Sequence, residues 1–142
     1  MEQRISLITL GTVDVESASR FYEALGWKRV ETPDNIVVYD LLGQAIGLYP
    51  LAALAEDIGV PAADLGRGAM TLGQNMRSKD EVDAVMAQVS GAGGKVLKPP
   101  QDVFWGGYHG YFSDPEGHIW EIAYNPFSAL RPDDGAFRWG GY

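Results

Sequence analysis

The chain has 142 residues, 46% of them hydrophobic, and a formal net charge of −8. That size fits one globular domain with a core of its own, and the composition excludes disordered and collagen-like classes. The acidity sets the surface against nucleic-acid phosphates, and the absence of cysteine excludes disulfides, thiolate zinc sites and cysteine nucleophiles.

The N-terminus carries Glu2 and Arg4 and has no apolar signal core. No run approaches the ~20 apolar residues of a membrane helix, so a cytoplasmic protein without membrane contact is expected. Ile5 to Leu10 is short, β-branched and apolar, the pattern of a buried strand. Asp14 stands where a helix N-cap belongs, and Val15, Ala18, Tyr22 and Leu25 recur at helical spacing, with Phe21 widening the stripe. This predicts a helix over 14–25 that ends at Gly26. Trp27 to Val30, Ile36 to Tyr39 and Ala45 to Tyr49 are expected as strands, with turns at Pro33-Asp34-Asn35 and Leu42-Gly43-Gln44. The order is β, α, β, β, β.

Leu51 to Ile58 is expected to be a short helix, with a linker from Pro61 to Gly68. The second half then repeats the first. Ala69 to Met76 predicts a strand, and Ser78 with Glu81 has the spacing of a capping box before the amphipathic series Val82, Val85, Met86 and Val89. That helix is expected over 79–90 and ends at Gly91 and Gly93-Gly94. Lys95 to Leu97, Tyr108 to Phe112 and His118 to Tyr124 complete the series, with a turn at Asp114-Pro115-Glu116-Gly117. The expected organisation is a single domain over 1–142, with module 1 about 1–60, module 2 about 66–125 and a tail over 126–142. The tail's Phe127, Phe137, Trp139 and Tyr142 predict docking on its own domain or on a partner subunit.

Two negatives narrow the chemistry. No glycine-rich loop opens a helix ahead of Lys-Ser or Lys-Thr, so nucleotide binding has no support, and no serine lies in a Gly-x-Ser-x-Gly turn. Six residues stand out in the second module. Glu121 alternates with Ile119 and Ala123, so its carboxylate shares an otherwise apolar face and fits a general base or a hydrogen-bond acceptor. His109 and His118 are the two imidazoles. His118 belongs to the turn and is assigned to turn bonding or packing, whereas His109 lies in an aromatic and glycine-rich stretch. There Trp105, Tyr108 and Tyr111 offer rings for stacking, and the glycines permit a bulge or close approach at a ligand. Sheet packing accounts for the same rings equally well. Trp27 and Trp120 are assigned to the core.

Asp14-Val15-Glu16 to Phe21-Tyr22 with Leu25-Gly26-Trp27, and Asp114-Pro115-Glu116-Gly117-His118 with Trp120-Glu121-Ile122, resemble two signatures of the vicinal oxygen chelate superfamily. That superfamily holds the glyoxalases, bleomycin-resistance proteins and extradiol dioxygenases. Over about residues 5–125, the resemblance implies an α+β fold of two βαβββ modules forming a curved mixed-sheet half-barrel with helices outside. It also implies a concave ligand site and a homodimer. The family's metal positions fall near Leu7, Gly47, Thr71 and Glu121, and of these only Glu121 supplies a carboxylate. Shifting by two residues brings Ile5, Thr9, Ala45, Tyr49, Ala69 or Gly73, none of them histidine or acid. The resemblance therefore implies a small-molecule-binding protein without the usual metal or other cofactor. Leu7, Thr71, Trp105, Tyr108 and Tyr111 would touch the ligand, and Glu121 and His109 would act on it. The alternative is a lyase, isomerase or dioxygenase with a divalent metal held by atypical ligands.

Overall fold

The computed structural model describes residues 3, 5–30, 32, 35–66 and 70–142. The chain divides into two compact units, Met1–Gly68 and Ala69–Tyr142. In the first, the described elements are β1 (Leu7–Thr12), α1 (Val15–Ala24), β2 (Val37–Leu41), β3 (Gln44–Pro50) and α2 (Leu51–Ile58), then a 3₁₀ turn at Ala62–Asp64. In the second they are β4 (Leu72–Met76), α3 (Lys79–Val89), β5 (Lys95–Asp102), β6 (Tyr108–Ser113) and β7 (Ile119–Tyr124).

Local chemistry starts both long helices where the sequence places them. The Asp14 carboxylate accepts the amide hydrogen of Ser17 at 2.8 Å, and the Ser78 hydroxyl accepts that of Glu81 at 3.2 Å. The capping box is modified: Glu81 reaches back to the amide of Arg77 at 2.8 Å, one residue beyond the cap it was expected to close. Gly93, at φ +100°, turns the chain out of α3 in a conformation that a side chain would strain.

The first sheet has the order β1-β3-β2, with β1 parallel and β2 antiparallel to β3. The second has the order β4-β7-β6-β5, with β4 parallel to β7 and the remaining pairs antiparallel. Superposing the two orders puts β1 on β4, β3 on β7 and β2 on β6. The outermost strand expected at Trp27 to Val30 is missing from the first sheet, where only a bridge from Val30 to Val38 marks its place. The physical reason is local. The Trp27 amide donates to Tyr22 O at 3.0 Å, and its indole stacks on Tyr22 at 5.0 Å and meets Tyr39 edge-on at 5.4 Å. These contacts tie the segment to α1 and the sheet face instead of leaving it free to pair along an edge.

β5 differs in the opposite sense. The strand expected to start over Lys95 to Leu97 continues through Pro99-Pro100 to Asp102, with register shifts between Val96 and Lys98 and between Lys98 and Gln101. Proline has no amide hydrogen to give the ladder, so edge strands and bulges are where a sheet can hold it. The bulges thus sit on β5, not on the glycine-rich segment of β6. Other ends move by a few residues. β1 begins at Leu7 rather than Ile5, and β4 begins at Leu72, the expected start at Ala69 lying outside the described residues, as do Glu2, Arg4 and the Pro33-Asp34 part of the first expected turn.

Each unit buries its own core. Ala18, Phe21 and Tyr22 of α1 are buried, as are Tyr39 of β2 and Ile46 and Leu48 of β3. Burial pushes the Tyr39 phenol up to about 12, and its hydroxyl donates to Ser19 O at 3.2 Å. In the second unit Val82, Met86 and Val89 of α3 are buried along with Phe112, Trp120 and Ile122 of β6 and β7. Trp120 is core, as expected. The tail folds back on itself and against this unit: Ser128 and Ala136 are buried, Tyr142 donates its amide hydrogen to Ala129 O with the Arg131 and Arg138 guanidiniums near its ring, and a Cβ added at Gly135 would lie 3.2 Å from Arg77 Nη2. Among the described residues, no helix is long and apolar enough to cross a membrane.

Candidate functional site

Alternation along β6 and β7 sorts the second sheet into two faces. Gly110, Phe112, Trp120 and Ile122 lie on the α3 side, where a Cβ added at Gly110 would come within 2.9 Å of Met86 Cε. His109, Tyr111 and Glu121 point to the other side, because His109 and Tyr111 are two apart on β6 and Tyr111 pairs with Glu121 across the ladder.

There the three side chains form one network. His109 Nδ1 lies 2.7 Å from Glu121 Oε1, and the Tyr111 hydroxyl donates to the same oxygen at 2.9 Å. The contact turns the Nδ1 edge of the imidazole to Glu121 and leaves its Nε2 edge facing away from the carboxylate. Lys98 Nζ stands 3.5 Å from that Nε2. The His109 and Tyr111 rings meet edge-on at 4.9 Å, and the Trp105 indole approaches His109 edge-on at 6.5 Å. The His109 side chain is 11% exposed and that of Glu121 28% exposed, so the carboxylate is open enough to reach a ligand and the imidazole is mostly enclosed. Burial, followed by the bond to Glu121 and the charge of that carboxylate, pushes the Tyr111 phenol above its ordinary value. It therefore stays protonated at neutral pH and acts as a donor.

The glycines next to Trp105 have a steric task. The indole folds back over Gly107 so closely that an added Cβ would overlap the ring, and Gly106, at φ +94°, has the Phe127 ring 3.3 Å from its own added Cβ. Close approach is thus made to the protein's own aromatics, which fixes where Trp105 stands.

Of the six second-unit residues singled out in the sequence, the fold gathers Glu121, His109, Tyr111 and Trp105. It does not gather Tyr108, whose hydroxyl donates to Asp83 of α3 at 2.7 Å on the opposite face, with the Lys79 ammonium 5.4 Å from its ring. Thr71 is exposed and precedes β4, and Leu7 opens β1 in the first unit, 47% exposed. Lys98 was missed. A lysine beside two prolines carries no periodic signal, and bulges on both sides of it set its direction.

The positions that the resemblance assigns to metal ligands do not fit a divalent ion chemically. At Gly47 an added Cβ would lie 2.8 Å from Ile36 Cδ1 and 3.6 Å from Leu7 Cδ1, an apolar setting without a lone pair. Gly73 stands opposite Glu121 in the β4–β7 register. Among the described residues, no three His, Asp or Glu side chains are grouped to hold a metal.

Residues 4–122 match the model of the Glyoxalase/Bleomycin resistance protein/Dioxygenase superfamily. The chain belongs to this superfamily. A glyoxalase-related enzyme from Fulvimarina pelagi is 36% identical, with 99% of this chain and 100% of that one covered at a TM-score of 0.89. A glyoxalase/bleomycin resistance protein/dioxygenase family enzyme from Burkholderia phytofirmans shares the fold at 21% identity and a TM-score of 0.74, covering 84% of this chain and 96% of that one. A lactoylglutathione lyase from Agrobacterium tumefaciens does so at 20% identity and a TM-score of 0.67, with 88% and 96% covered. No curated protein matches the chain. The α+β class and both family signatures expected from the sequence agree with these likenesses, and neither of the two mixed sheets closes into a barrel.

Proposed function

We propose that this member of the glyoxalase and bleomycin-resistance superfamily binds a small molecule on the Glu121 face of its second sheet, without the family's divalent metal. One observation carries the reading: Glu121 Oε1 is engaged by His109 and Tyr111 in a preformed hydrogen-bond network. A polar network set among rings orients a ligand, while the Trp105 indole supplies apolar area. The test is a thermal-shift screen of a small-molecule collection on wild type and Glu121→Gln, with metal analysis of protein purified without chelators. Compounds should raise the wild-type melting temperature, and the variant should lose that response by about tenfold or more in affinity while its own melting point moves by only a few degrees. Responses equal in both proteins would sink the role of Glu121. Tight stoichiometric binding of a divalent ion, lost in Glu121→Gln, would move the protein to the metalloenzyme side of the superfamily.

The His109–Glu121 contact supports a second reading, a lyase or isomerase in which His109 Nε2 takes a substrate proton and Glu121 holds the ring. Turnover that survives chelation and is lost in both His109→Gln and Glu121→Gln would favour it. For assembly we propose a homodimer that uses exposed tail aromatics, Phe127 at 69% and Trp139 at 84% exposure. Light scattering should report twice the chain mass, and a monomer at high micromolar concentration would refute it.

A further inference from the structure

The half-buried ammonium of Lys98 has a ring nitrogen, not a carboxylate, as its partner among the described residues. Glu121 is the nearest acid of the network, yet His109 stands between the two. Its Nδ1 lies 2.7 Å from Glu121 Oε1, and its Nε2 lies 3.5 Å from Lys98 Nζ. The imidazole brings no negative charge to the lysine, and no carboxylate among the described residues pairs with its ammonium. The backbone adds a second, independent feature. β5 is bulged on both sides of Lys98, and bulges re-aim a side chain where regular pairing would turn it elsewhere. The Trp105 indole stands edge-on to the same imidazole, with ring centroids 6.5 Å apart.

We propose that Lys98, positioned by His109 and through it by Glu121, anchors the carboxylate of an aromatic acid whose ring packs against Trp105. This deepens the small-molecule reading above and rests on it. A charge-assisted hydrogen bond from an ammonium to a carboxylate is about twice as strong as a neutral one, so the charge selects the ligand class. The net charge of −8 makes the preference a local one, set at Lys98 against the field of the whole chain.

The probes are benzoate, benzamide and benzylamine, which share a ring and differ in charge, titrated into the full chain by calorimetry and by tryptophan fluorescence. Benzoate should bind about tenfold or more tightly than benzamide, the worth of one charge-assisted hydrogen bond. Lys98→Met should erase that preference and Lys98→Arg should keep part of it, which a merely structural role for the lysine would not produce. His109→Gln should weaken benzoate more than benzamide. Because the ligand series is run first on wild type, the result does not depend on how any variant folds. Benzamide or benzylamine binding as tightly as benzoate would overturn the anionic class and leave the small-molecule reading standing. Absence of saturable binding by benzoate would also overturn the class, and the small-molecule reading would then rest on its own screen.

Discussion

Replacing Asp114 with alanine is expected to lower the unfolding free energy by about 3–5 kcal/mol, since each hydrogen bond to a charged acceptor contributes about 1.5–3 kcal/mol. The Asp114 side chain is fully buried, and its two oxygens organise the β6–β7 turn. Oδ1 accepts the amide hydrogens of Glu116 at 3.0 Å and His118 at 2.8 Å, and Oδ2 lies 2.8 Å from His118 Nδ1. Alanine would orphan both amides and the imidazole together. Because β6 and β7 are the strands that present His109, Tyr111 and Glu121, the loss should reach ligand binding as well as stability. Asp114→Asn keeps one acceptor oxygen and should cost less, and His118→Ala leaves both amides satisfied and should cost least. Chemical denaturation of the three variants gives the ranking. An Asp114→Ala midpoint indistinguishable from wild type would show that the turn holds without its carboxylate.

Trp120→Ala is expected to cost about 3–5 kcal/mol, as truncation of a large buried aromatic side chain does. The indole is 5% exposed and stacks on Phe112 with centroids 6.2 Å apart and planes 7° from parallel. Trp120 pairs with Phe112 across the ladder on the α3 face, and its neighbour Glu121 points to the other side. The cavity should therefore loosen α3 and the carrier strand of the site together. The melting temperature should fall by on the order of 10 °C. Trp120→Phe, which refills most of the volume, should recover more than half of the loss. Equal melting of Trp120→Ala and wild type would mean that this ring is not part of the core.

Local chemistry was enough for much of the fold. The Asp14 and Ser78 caps, the apolar stripes behind them and the turn at Asp114 act within a few residues of chain, so they can be read without neighbours. The duplicated element order was legible from the same local patterns, and the family signatures, likewise local strings, added the fold class. Glu121 and His109 were legible for the same reason, as polar side chains at alternating positions on strands. Tertiary structure decided what depends on partners distant in sequence. Trp27 had the pattern of a strand, but its indole found Tyr22 and Tyr39, and packing there displaced edge pairing. Tyr108 looked like a companion of Tyr111, yet the odd-even rule that put His109 and Tyr111 on one face sent Tyr108 to Asp83 on the other. Lys98 joined the network because bulges around Pro99-Pro100 shift its register by a residue at a time, and a bulge is settled only when two strands pair. Sequence thus chose the side chains with the chemistry, and strand register chose which of them meet.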